Sequence, residues 1–91
     1  MPRPQDSSQP RLAAGCRWAG EGEKRILLFP EGALKLEGTG HAILERCDGQ
    51  RSFRQIVDEL QVLYSASEPE KVRSDVGGFL ERLQQKRVVD F

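Results

Sequence analysis

Ninety-one residues with fourteen Lys plus Arg against fourteen Asp plus Glu carry a formal net charge of zero, and 37% of them are apolar. A chain of this kind is one small domain, short of material for a deep internal active site and without a global field to draw it onto nucleic acid or an anionic membrane. Two cysteines without a CxxC or CxxxH companion and a single histidine lack the ligands for zinc, and the longest apolar run, Ile26 to Phe29, falls far short of the roughly 20 residues that cross a bilayer.

Residues 1–10 hold three of the five prolines and no apolar residue beyond Met1, so they are expected to form a disordered arm outside a single domain of residues 11–91. Nothing there resembles a charged stretch followed by an apolar export segment. Both Cys16 and Cys47 are therefore expected to be reduced thiols in a cytoplasmic protein. From Leu12 the chain alternates, with Leu12, Ala14, Cys16 and Trp18 on one side, which predicts a half-buried strand. The glycine-bearing turn over residues 19–23 leads to a second strand, Lys24 to Phe29, and the two are expected to pair as a hairpin. Pro30, Glu31 and Gly32 break the chain again. A third strand, Ala33 to Glu37, follows with Leu34 and Leu36 on one face and Lys35 and Glu37 on the other, a pattern suited to a sheet edge.

After Gly38 the period becomes helical. Gly40, Ile43, Leu44 and Cys47 share a face, and Asp48-Gly49 supplies the stop. Ser52 with Gln55 three residues on predicts a capping box opening a second helix, whose stripe is Phe53, Ile56, Val57, Leu60, Leu63 and Tyr64. Ser67 with Glu70 repeats the pattern for a third helix running to about Lys86, with Pro69 in its first turn and a stripe of Val72, Val76, Phe79, Leu80 and Leu83. Gly77 and Gly78 fall inside that helix. Each costs about 1 kcal/mol relative to Ala; the plain reading is tolerated surface glycine, and the other is that something uses the backbone access they leave.

Three strands followed by three helices make an α+β domain: a three-stranded antiparallel sheet and three helices, winged helix-turn-helix-like. The residues assemble no catalytic constellation, since His41 reads as a surface or boundary side chain and Ser52 and Ser67 as caps. Nucleic-acid binding is the alternative that the topology raises. It is disfavoured by Glu68 and Glu70 at the start of the would-be recognition helix. An edge strand beside an amphipathic helix instead makes a groove in which an extended peptide can add to the sheet. The same edge could pair with a second copy, giving a self-associating domain that is a monomer in solution and a dimer at high concentration.

The segments Leu27-Leu28-Phe29-Pro30-Glu31-Gly32, Ile43-Leu44-Glu45-Arg46-Cys47-Asp48-Gly49 and Asp75-Val76-Gly77-Gly78-Phe79-Leu80 occur in an order and spacing that resembles the PqqD family. The chain departs from the family pattern at Leu36-Glu37-Gly38-Thr39-Gly40, which lacks the usual asparagine cap, and at Arg87-Val88-Val89, where a glycine-bearing turn is common. The resemblance implies a non-catalytic peptide chaperone without a cofactor. Such a protein would bind the precursor peptide PqqA and present it to the radical SAM enzyme PqqE in pyrroloquinoline quinone biosynthesis. Carried onto this sequence, the resemblance implies backbone pairing along Leu34, Lys35, Leu36 and Glu37, with Arg73, Val76, Gly77, Leu80 and Leu83 lining the helix side. Lys35 and Arg73 would then meet acidic residues of the peptide.

Overall fold

The computed structural model describes residues 3–35 and 38–91. Among them the order is β1 Arg11–Leu12, β2 Arg17–Ala19, β3 Ile26–Phe29, β4 Gly32–Lys35, α1 Thr39–Leu44, α2 Phe53–Leu63, α3 Pro69–Gln85 and β5 Val89–Asp90. The three-stranded antiparallel sheet expected before the helices is β2-β3-β4, and a second pairing, β1 with β5, joins the two ends of the chain. Leu27 of β3 faces Leu34 of β4 and is wholly buried beneath α1, α2 and α3, whose Ile43, Leu44, Ile56, Leu60, Val76 and Leu80 complete the core with Val88 and Val89. Burying each of these aliphatic side chains contributes about 1.5–3 kcal/mol, so the sheet and helices hold as one layer on another. None of the described helices is long and apolar enough to cross a membrane.

The alternation from Leu12 to Trp18 does not make one strand. Gly15 takes a positive φ of 87°, Cys16 N–H donates to the Ala13 carbonyl at 3.1 Å, and the chain turns so that β1 leaves to pair with β5 while β2 joins β3. The second strand is likewise shorter than expected, because Gly22–Lys24 forms a 3-10 turn before it. The third helix begins differently from its predicted capping box. Proline fixes its own φ and forces the preceding residue into extended backbone, so Pro69 becomes the first helical residue, Glu68 the cap at ψ 139°, and Ser67 lies outside. For α2 the predicted box is present: Ser52 Oγ accepts from Gln55 N–H at 3.1 Å and Gln55 Oε1 from Ser52 N–H at 2.8 Å.

Residues 3–10 are not the free arm that their composition suggests. Ser8 and Asp6 present their carbonyls to the N–H groups of Phe53 and Arg54, at 2.7 and 3.3 Å, and Pro10 accepts from Gly49 N–H at 3.0 Å. Phe53 and Arg54 open α2 and have no acceptor within the helix, so the segment docks by satisfying donors that every helix leaves over. Pro4 and Pro10 are buried by this docking. Arg3 pairs with Glu81 at 3.2 Å and Asp6 with Arg73, tying the segment to α3 as well.

Candidate functional site

Among the described residues, β4 has a partner strand on one side only. Its register with β3 sets Phe29 opposite Gly32, Leu28 opposite Ala33, Leu27 opposite Leu34 and Ile26 opposite Lys35. Pro30, beside the turn, has no N–H, so the hydrogen-bonded pair nearest the turn must be Phe29 with Gly32. Alternation then directs the main-chain groups of Leu34 at β3, and those of Ala33 and Lys35 at the open edge. The side chains follow the expected facing, with Leu34 half-buried against the core and Ala33 and Lys35 exposed. Leu36 and Glu37 lie outside the described residues.

Four residues beyond Lys35, α1 begins at Thr39. Its cap, Gly38, has a φ of 59° and no side chain to offer the first turn, and Ala42 N–H closes on the Gly38 carbonyl at 3.1 Å, while Glu37, where the family pattern has its asparagine, lies outside the described residues. Between this first turn and α3 runs an open groove of about 420 Å³, lined by Thr39, Gly40 and Ile43 on one side, by Asp75, Gly78, Phe79 and Arg82 on the other, and by Arg3. Phe79 is half-buried there. A second depression of about 460 Å³ lies across α3, with Arg3, Pro4, Phe53, Arg73 and Gly77 around it.

Of the helix residues expected at the site, Val76 is 1% exposed, Leu80 0% and Leu83 5%, and Gly77 is buried against the Phe53 ring. Buried to this degree, these side chains hold α3 to the rest of the core. The face that α3 turns to the groove is the neighbouring one, carrying Asp75, Gly78, Phe79 and Arg82. Helical periodicity marks which positions are apolar but leaves open which polar flank meets a groove, so Arg82 gave no signal in the sequence and Asp75 only as part of a family segment; Phe79, within the apolar stripe, did. Arg73 is exposed, as expected of a residue meeting an acid. The acid it meets is Asp6 of its own chain, and its guanidinium also lies 5.2 Å from the centroid of the Phe53 ring.

The titratable groups elsewhere have structural surroundings. His41 packs against Trp18 with ring centroids 5.3 Å apart, and its Nδ1 is 3.7 Å from Glu45, which also pairs with Arg25 lying over the same indole. Cys47 is buried, and burial with the nearby Asp48 charge pushes its thiol up to about 12. Such a thiol is inert at neutral pH. Among the described residues no three His, Cys, Asp or Glu side chains converge as metal ligands.

Residues 24–89 match the family model of coenzyme PQQ synthesis protein D, PqqD. The chain belongs to the PqqD family. Curated members similar to it include the PqqA binding protein of Methylococcus capsulatus (strain Bath), 43% identical over 65 residues that make up 71% of this chain and 67% of that one. The PqqA binding protein of Xanthomonas oryzae pv. oryzae is 34% identical over 84 residues, 90% of each chain. Among solved structures, the solution structure of the PqqD truncation of Methylobacterium extorquens PqqCD superposes with a TM-score of 0.74 at 31% identity, over 96% of this chain and 94% of that one. That PqqD truncation is described as a functional, stand-alone recognition element for ribosomally synthesised and post-translationally modified peptides. PqqD proteins are non-catalytic recognition elements, and this member is accordingly not an enzyme.

Proposed function

We propose that this PqqD-family protein binds the PqqA precursor peptide as an added strand on β4 and presents it to the radical SAM enzyme PqqE, in the cytoplasm. The observation that carries the reading is the free main chain of Ala33 and Lys35 on β4, four residues before a groove between α1 and α3. An extended peptide paired there takes its affinity from backbone hydrogen bonds and its selectivity from the side chains of the groove. The two relatives that bind PqqA by name, and the recognition element whose fold this chain shares, support PqqA as the peptide. Leu36 and Glu37 would continue the pairing beyond Lys35, with Arg73 at the flank and Val76, Gly77, Leu80 and Leu83 backing the groove from within.

An amide-resolved NMR titration with PqqA, at a concentration where the free protein is monomeric, tests this. Shifts should concentrate in residues 33–40 and on the Asp75, Gly78, Phe79 and Arg82 face of α3. Absence of shifts at millimolar peptide would overturn the reading and move the open edge to self-pairing. Binding through strand addition should also weaken little with salt, whereas phosphate-driven binding of nucleic acid falls steeply.

A further inference from the structure

Of the two adjacent glycines in the middle of α3, Gly78 has a guanidinium lying close upon it. Arg3 extends its guanidinium over the helix, with Nη1 3.7 Å from where a side chain at position 77 would begin and Nη2 3.2 Å from where one at position 78 would begin. Arg82 Nη1 comes within 4.0 Å of that same point over Gly78. Two guanidinium groups therefore converge on one point of the groove between α1 and α3, one brought by the docked N-terminal segment and one by the helix itself. Like charges so placed repel unless an anion joins them.

The charges around them are already engaged. Arg3 meets Glu81 through Nε, at 3.2 Å, which leaves its terminal nitrogens toward the glycines. Asp75 on the groove wall is held by Lys71 at 3.1 Å, and Arg82 makes no ion pair among the described residues. The uncompensated charge in the groove is thus positive. We infer that Arg3 and Arg82 form a clamp for a carboxylate side chain of the bound peptide, with Gly78 giving the guanidinium of Arg3 its place against the helix. The inference rests on the peptide-binding reading above and deepens it: the N-terminal segment is part of the site, and the peptide it selects carries an acidic residue past the part that pairs with β4. A planar carboxylate accepts two N–H groups from such a fork, and charge-assisted hydrogen bonds are the strong ones.

The test is calorimetric binding of PqqA, and of copies in which each Asp or Glu in turn is replaced by Asn or Gln, to the wild type, R3Q and R82Q. One acidic position should stand out. Neutralising it should weaken the wild type by about five- to tenfold, the scale of a lost charge-assisted pair at a half-exposed site, and R3Q and R82Q should lose as much on the native peptide and nothing further on the neutralised one. R82Q keeps the reading testable if R3Q merely undocks the segment, because Arg82 stands on α3 itself. Equal losses on native and neutralised peptides, or none, would overturn the clamp. Tighter binding by R3Q would also overturn it, showing that the segment covers the groove instead of completing it. Failure of the wild type to bind any peptide would instead remove the peptide-binding reading and the clamp with it.

Discussion

Arg87 shows how much conformational cost one position can carry. It is the only described residue other than glycine with a positive φ, 61°, and it closes α3: Arg87 N–H donates to the Gln84 carbonyl at 3.0 Å and Val88 N–H to Leu83 at 2.9 Å. This is the turn that glycine ordinarily makes after a helix, retained with an arginine in its place. Left-handed backbone costs an L-residue about 1–2 kcal/mol, partly offset because glycine loses more freedom on folding. R87G should therefore stabilise the fold by about 0.5–1 kcal/mol, read as a rise in the urea midpoint without a change of slope. Asp48 works in the opposite sense. Gln50 N–H, at 2.9 Å, holds its carboxyl below the ordinary range, helped by Arg51 N–H and the Arg51 guanidinium. A depressed carboxyl stabilises above its unfolded value of about 4 and ceases to as the pH falls through the lowered one, so acid unfolding of wild type and D48A should converge below that range. At pH 7, D48A should cost no more than about 1 kcal/mol, the net value of exposed side-chain-to-backbone hydrogen bonds in a turn. The two thiols should separate as well: Cys16, half-buried, should react with a maleimide in the folded protein, and Cys47 only on unfolding.

At the scale of the element, β4 and α3 divide the site between them, and each was legible to a different degree. The open edge was readable because Leu34 and Lys35 alternate and Pro30-Glu31-Gly32 places the turn. Which main-chain groups face outward followed only from the observed register, with Ala33 joining Lys35. K35P removes an outward N–H and leaves the β3 pairing of Leu34 in place, so it should reduce PqqA binding at least tenfold while the unfolding midpoint falls little; unchanged binding in the folded variant would count against strand addition. In α2 the serine and glutamine of the capping box were read correctly, since nothing nearer the helix competed with them. In α3 the same two-residue signal misled, because Pro69 dictates the first helical position more strongly than a hydroxyl three residues before a carboxylate. The strand running to Trp18 failed for a comparable reason. Its alternation was real, and Gly15 turned the chain in the middle of it.

For the whole molecule, the part that sequence reading missed is the N-terminal segment, and the reason is physical. Residues 3–10 have almost no apolar surface to register as core, while the hydrogen bonds that hold them come from their carbonyls, which every sequence supplies. The recipients are the donors at the start of α2, and the ion pairs of Arg3 and Asp6 reach α3, so one short segment ties α2 to α3, one wall of the proposed groove. The ion pairs are solvent-exposed and add little by themselves. The two hydrogen bonds to Phe53 and Arg54 and the burial of Pro4 are the larger contributions, together about 1–3 kcal/mol. A chain lacking residues 1–9 should consequently fold to the same sheet and helices with its midpoint lowered by that amount, as followed by urea denaturation. Its amide spectrum should change at Phe53, Arg54 and along Arg73 to Gly78, and little in β2 or β3. Loss of the whole fold on truncation would mean that the segment nucleates α2, and an unchanged midpoint would mean that the docking is not populated in solution. If the groove is completed by Arg3, the same truncated chain should retain backbone pairing with the peptide and lose its preference for the acidic one, so that stability, strand addition and charge selection come apart in a single variant.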